Sequence, residues 1–109
     1  MATNNKQKII IISPQAKQDI LYILNYLKEH WEQKIVDEFL QKLETFYRII
    51  LINPRLFGYY NKSRNIRKYA ISKQNSIYYR IRKNAIEIIT VFDGRQNPAK
   101  LKRIVKRKL

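Results

Sequence analysis

The spacing of apolar residues changes once along this chain, and the change predicts an α+β fold. Between residues 16 and 50, apolar side chains recur at steps of three and four, which is the period of an amphipathic helix. Beyond residue 65 they fall into short runs that alternate with polar residues or stay continuously apolar, as in strands. A length of 109 residues with only 2 Gly favours one domain of regular elements joined by short turns.

Two helices are predicted in the first half of the chain. A β-branched strand, Ile9–Ile12, precedes Ser13, which can cap the free amides of a helix, and Pro14, which suits its first position. The first apolar stripe consists of Ala16, Ile20, Ile23, Leu24, Leu27 and Trp31, and the second of Val36, Phe39, Leu40, Leu43, Phe46, Tyr47 and Ile50. The second helix should end near Asn53, because Pro54 disfavours helical geometry in its predecessor. We expect an antiparallel hairpin.

The second half predicts a loop over residues 53–63 and then a β-meander. The predicted strands are Ile66–Ser72, Ile77–Arg82 and Ile86–Phe92. The nearly continuous apolar character of the last strand favours an interior position in the sheet. The expected fold is α+β: an N-terminal strand and an antiparallel helix hairpin packed on one face of a three- to four-stranded, mainly antiparallel sheet. We expect one domain over 1–109, with a core at 8–97 and a basic tail at 98–109 that is either a short helix or a mobile arm.

Charge and composition limit the function. Lys and Arg number 23 against 8 Asp and Glu, a formal net charge of +15, which attracts nucleic acid, an anionic membrane or an acidic protein. Cysteine is absent, and a single histidine, His30, cannot build a multi-histidine metal site. The sequence holds no apolar run of the ~18 residues that a membrane span needs, and no signal-peptide pattern. We therefore expect a cytoplasmic protein without a metal, a cofactor or a small-molecule substrate.

Four segments, in this order and spacing, resemble the RelE/ParE toxin superfamily of type II toxin–antitoxin systems. They are Ser13–Ile20 at the start of the first helix, Leu51–Gly58 at the end of the second, Ile77–Ile81 on a strand and Val91–Pro98 at the end of the sheet. The resemblance implies a toxin that an antitoxin segment wraps and neutralises. RelE-like members cut messenger RNA on the ribosome, whereas ParE-like members poison DNA gyrase. The long hairpin of this chain is closer to ParE.

The resemblance also implies where a ribonuclease site would lie. Arg67 matches a basic position that neutralises phosphate, and Arg95 lies near the arginine that follows the last strand. Ser76 or a neighbour replaces the arginine that opens the middle strand, and no tyrosine follows Phe92. The cleavage set is therefore half present, and its candidates are Arg67, Arg80 and Arg95. This deficit favours a toxin that acts by binding.

Alternation along the strand 77–82 places Tyr78, Arg80 and Arg82 on one face, which we expect to be open if the other face packs on the helices. The candidate residues for binding a target or nucleic acid are Arg67, Tyr78, Arg80, Arg82 and Arg95. A solvated face is the alternative interpretation of the strand. For Arg95 the alternative is a loop-stabilising role, with hydrogen bonds to sheet carbonyls or to a carboxylate such as Asp93. The aromatic residues of the helices, Trp31 included, are expected in the core, and His30 in a solvated turn.

Three functions remain open. The first is a ParE-like toxin that binds an essential target such as gyrase and is neutralised by an acidic antitoxin. The second is a RelE-like, ribosome-dependent endoribonuclease. The third is a nucleic-acid-binding module without toxin activity. Sequence alone leaves the choice between the targets open.

Overall fold

A computed structural model describes residues 8–106 of the chain. Its elements are β1 (Ile9–Ile12), α1 (Pro14–His30), α2 (Gln33–Ile52), β2 (Tyr59–Asn61), β3 (Ile66–Ala70), β4 (Asn75–Ile81), β5 (Ala85–Asp93) and α3 (Pro98–Lys106). The strands form one sheet in the order β1-β5-β4-β3-β2. β1 pairs with β5 in parallel, and the other neighbours are antiparallel. None of the helices within 8–106 is long and apolar enough to cross a membrane.

Local chemistry explains where α1 begins and how it is attached to the sheet. The Ser13 hydroxyl accepts a hydrogen bond from the amide of Ala16 at 3.0 Å and donates one to the carbonyl of Ile89 at 2.7 Å. One turn later, a carboxylate oxygen of Asp19 accepts hydrogen bonds from the hydroxyl of Thr90 and, at 3.0 Å, from the amide of Val91. The cap confirms the predicted start of the helix at Ser13. The contacts of Ser13 and Asp19 with β5 fix α1 against the sheet.

The helix hairpin packs on one face of the sheet and closes the main core. Phe46 of α2 is fully buried there, with its ring stacked on Tyr69 at 4.8 Å and edge-on to Tyr79 at 5.6 Å. Ile77 and Ile88 belong to the same cluster. The two helices agree with the prediction from the three- and four-residue spacing, and most of the stripe faces the sheet. Leu40 is the exception on α2, because its side chain is exposed.

The sheet has five strands, so the expected three to four were too few. The extra strand is β2, which lies inside the predicted 53–63 loop and pairs only with β3, through an irregular register. A three-residue edge strand is too short for a period of two to show in the sequence. The interior position of the last strand is confirmed, because β5 lies between β1 and β4.

The second face of the sheet is also covered, which corrects the expected open face. α3 buries Leu101, Ile104 and Val105 in a second cluster that holds Tyr78 and Phe92. The short-helix alternative for the basic tail therefore holds for residues 98–106, and the last three residues lie outside the described part of the chain. Three apolar side chains at helical spacing among lysines and arginines suffice to seat this helix.

Candidate functional site

A groove of about 790 Å³ lies between α1 and the end of β5. One wall carries the aromatic side chains of Tyr22, Tyr26 and Trp31, and the apolar part is completed by Ile23, Leu27 and Val91. Asp93, Arg95 and Lys100 line the opposite side. A shallower pocket of about 540 Å³, with Arg103 and Lys106, adjoins it and shares Gln15 and Lys100. The charges that line the groove balance, with Asp19 and Asp93 against Arg95 and Lys100. The excess of positive charge comes from Arg103 and Lys106 of the adjoining pocket.

The aromatic wall corrects the expectation that these helix aromatics are core residues. The exposed fractions are 73% for Tyr22, 47% for Tyr26 and 58% for Trp31. His30 is exposed at the end of α1, as expected, and its ring stacks on Tyr26 at a centroid distance of 4.2 Å. A signal was present in the sequence: Tyr22 and Tyr26 are four residues apart and lie beside the apolar stripe, outside its members.

Arg95 stands at the groove in a bidentate pair with Asp93. Its Nη2 lies 2.6 Å from one carboxylate oxygen, and its Nε lies 3.0 Å from the other. This bonding lowers the pKa of Asp93 and raises the pKa of Arg95. The nearby phenols of Tyr26 and Tyr22 raise the pKa of Arg95 further. The loop-stabilising alternative for Arg95 is therefore present in the structure. The side chain is nevertheless largely exposed and accessible to a ligand in the groove.

Arg67 is buried and holds the loop that precedes β2. Its Nη1 donates to the carbonyl of Phe57 at 2.6 Å and to that of Arg55 at 3.3 Å. Its guanidinium carbon lies 4.1 Å from the ring centroid of Tyr59. Arg67 pairs in register with Tyr79, so both face the hairpin side of the sheet. These contacts give Arg67 a structural role in the loop before β2.

Tyr78, Arg80 and Arg82 lie toward the α3 side of the sheet, but only Arg82 is substantially exposed. Burial lowers the pKa of Arg80, and the nearby Glu87 opposes that shift. Arg82 donates to Glu87 through Nε at 3.0 Å and Nη2 at 2.9 Å. The Tyr78 ring is buried edge-on to Tyr60, and burial raises the pKa of its phenol. On this face, Tyr78 therefore packs in the cluster under α3, and Arg80 and Arg82 lie beside Glu87.

The sequence-predicted arginines are therefore not brought together. Arg67 lies on the hairpin face, Arg80 on the α3 face and Arg95 beyond the end of β5. Within the described residues, no group of three or more His, Asp or Glu side chains is placed to hold a metal ion.

With this fold and groove in view, residues 10–98 match the family model described as "ParE toxin of type II toxin-antitoxin system, parDE". The chain belongs to the ParE toxin family. The match covers α1 and α2, all of the sheet after Ile9 and the first residue of α3. Membership in the ParE family implies a cognate antitoxin as partner. No curated protein matches the sequence.

Two solved structures are similar to this ParE-family chain in fold. One is from the chromosomal ParDE toxin–antitoxin system of P. aeruginosa, with a TM-score of 0.66, 11% identity, and coverage of 82% of this chain and 98% of that one. The other is the YoeB dimer from Staphylococcus aureus, with a TM-score of 0.57, 19% identity, and coverage of 78% and 94%. At these identities the likeness establishes the shared architecture.

Proposed function

We propose that this ParE-family protein arrests growth in the cytoplasm by binding an essential protein target such as DNA gyrase, and that an acidic antitoxin neutralises it. The family match supports the toxin role. The separation of Arg67, Arg80 and Arg95 supports action by binding, because metal-free RNA cleavage needs its proton-transfer and charge-stabilising groups around one phosphate.

Arg95 is the arginine of this set best placed to meet a target. Nη1 of Arg67 already donates to two carbonyls, and Arg80 is buried beside Glu87 and the carbonyl of Arg64. Arg95 holds Asp93 but remains exposed beside Lys100 at the groove. We therefore assign Arg95 the charge contact with the target, while Arg82 supplies a peripheral cation and Tyr78 supports the sheet beneath.

One observation favours a second candidate function, an endoribonuclease. The groove brings Arg95 together with the phenols of Tyr22 and Tyr26, so α1 offers the proton-carrying tyrosine that the segment after Phe92 lacks. A phenol and a guanidinium facing one cleft can protonate a leaving oxygen and stabilise a phosphorane. This alternative predicts cleavage that depends on both residue types.

The test of function is induced expression of the wild type and of Arg95→Ala. Loss of charge at the groove should abolish growth arrest by the variant, and wild-type cells should show altered plasmid topology with intact messenger RNA. Arg48→Ala is the matched control, because Arg48 is an exposed arginine on α2 whose side chain bonds only weakly to Thr45, at 3.5 Å. Rapid, codon-positioned cleavage by the wild type, lost in Arg95→Ala and in the Tyr22→Phe, Tyr26→Phe double variant, would replace gyrase binding with the ribonuclease.

The groove between α1 and β5 fits the antitoxin. Its aromatic wall offers large, rigid apolar contacts, and Lys100, Arg103 and Lys106 offer charge to carboxylates. An antitoxin segment that is disordered when free and folds on binding can lie along such a groove with apolar residues on one side and acidic residues on the other. Occupation of the groove would cover Arg95.

Truncation of the aromatic wall should weaken antitoxin binding. We expect the Tyr22→Ala, Trp31→Ala double variant to lose at least about tenfold in affinity, because interfacial Tyr and Trp side chains are common hot spots. Leu21→Ala is the control, since Leu21 is an exposed residue of α1 outside the groove. Calorimetric titration of the purified toxin with the antitoxin from its own operon measures the effect. Equal affinities for the double variant and the control would place the antitoxin elsewhere.

A further inference from the structure

The segment from the last residue of α2 to the first residue of β2 presents three large apolar side chains to solvent. The exposed fractions are 82% for Ile52, 55% for Leu56 and 44% for Tyr59. With the exposed Arg55, these residues define the 52–59 surface. None of these four residues lines the groove between α1 and β5, so the two surfaces are separate. Three large apolar side chains exposed within eight residues of the chain indicate a contact site for another macromolecule.

The backbone that carries this surface is fixed from below. Arg67 binds the carbonyls of Arg55 and Phe57, and the Tyr79 hydroxyl donates to the carbonyl of Pro54 at 3.0 Å. The ring of Phe57 packs against Tyr69 at 4.6 Å and against Phe46 at 6.0 Å. The guanidinium of Arg67 also lies under the ring of Tyr59. Because the turn is already ordered, a partner that docks on it loses little conformational entropy.

The charge around this surface identifies the chemistry of its partner. The sequence holds no Asp or Glu between Glu44 and Glu87, and Arg55 is exposed on the turn beside the apolar side chains. The partner should therefore carry an apolar pocket bordered by carboxylates. A second copy of the chain is disfavoured, because two molecules of net charge +15 would bring their Arg55 side chains together. Nucleic acid is disfavoured, because the two most exposed members, Ile52 and Leu56, are aliphatic and only Tyr59 could stack on a base.

We propose that the 52–59 surface docks the protein target of the toxin, with Leu56 and Ile52 inserted into an acidic-rimmed apolar pocket. The inference rests on the proposed function, since it takes growth arrest to follow from target binding. It separates two tasks within the fold: the groove between α1 and β5 holds the antitoxin, and the 52–59 surface anchors the target, with Arg95 as a second contact.

The experiment compares Leu56→Asp with Leu40→Asp, which places the same change at an exposed leucine of α2. A buried carboxylate in an acidic-rimmed pocket is unfavourable, so Leu56→Asp should lower affinity for purified gyrase at least about tenfold and abolish growth arrest. The melting temperature and the affinity for the antitoxin should stay at wild-type values in both variants. Leu40→Asp should retain growth arrest.

The outcomes separate this inference from the proposed target. Full growth arrest by Leu56→Asp overturns the 52–59 docking surface while leaving the toxin function intact. Loss of arrest by Leu56→Asp, in a protein whose wild type does not bind gyrase, supports the surface and rejects gyrase as the target. Three further results overturn the proposal: lost antitoxin affinity, a change of oligomeric mass, or arrest that depends on Arg55 but survives Leu56→Ala and Ile52→Ala, which would indicate nucleic acid.

Discussion

Phe46→Ala should lower the free energy of unfolding by about 4 kcal/mol, within the range typical of emptying a buried aromatic site. Phe46 is fully buried, and its ring contacts those of Tyr47, Phe57, Tyr69 and Tyr79. A small alanine would leave a cavity that these rigid rings close poorly. Because a whole domain of this size is stable by only about 5–15 kcal/mol, the variant should be close to unfolding at physiological temperature.

Denaturant titration followed by circular dichroism measures this effect. Phe46→Leu is the control, because it keeps most of the volume and should cost about 1.5 kcal/mol or less. A loss below about 1 kcal/mol in Phe46→Ala would mean that the hairpin and the sheet close around the smaller side chain, and that the aromatic cluster does not hold α2 in place.

Arg67→Ala should cost about 3 kcal/mol of stability, although the family resemblance predicts a phosphate contact for this residue. The change removes the donor to the carbonyls of Arg55 and Phe57 and the cation over the ring of Tyr59. Buried acceptors without a donor typically cost about 1–3 kcal/mol, and a cation–π contact about 0.5–2 kcal/mol. We also expect the turn before β2 to exchange its amide hydrogens faster.

Arg67→Lys distinguishes the two roles of this position. An ammonium keeps the charge for a phosphate but lacks the planar, forked donors that reach two carbonyls at once. A structural role predicts that Arg67→Lys is destabilised by nearly as much as Arg67→Ala, measured by thermal unfolding beside Arg48→Ala as a surface control. Wild-type stability in Arg67→Lys, with loss of growth arrest only in Arg67→Ala, would restore the phosphate contact.

Much of the fold follows from local sequence. The bounds of α1 and α2 lie close to those expected, because helical spacing, the Ser13 cap and the proline after Asn53 all act within a few residues of where they occur. β3, β4 and β5 begin and end within about two residues of the expected positions. β2 was not predicted, because a strand of three residues is too short to show an alternation of apolar and polar side chains.

Most features of the candidate site could not be predicted from the sequence, because they depend on how distant elements pack. Alternation along β4 correctly predicts that Tyr79 lies on the opposite face of the sheet from Tyr78 and Arg80. That the second face is covered depends on the packing of α3 against it, which the sequence did not predict. Likewise, helical spacing marks the stripe on α1 but does not say how far the sheet extends beneath it, so the exposure of Trp31, a member of that stripe, could not be predicted from the sequence.

Residue type and short-range order were enough to predict α1, α2, the main strands, the positive charge and the resemblance to a toxin family, whereas they left α3 open. Tertiary structure decided what each charged side chain does. Arg67, Arg80 and Arg95 are alike in chemistry, yet one holds a loop, one is buried beside Glu87 and one stands at an open groove. Burial and the identity of a partner are set by contacts between distant segments, and those contacts decide whether a charge stabilises the fold or meets a ligand.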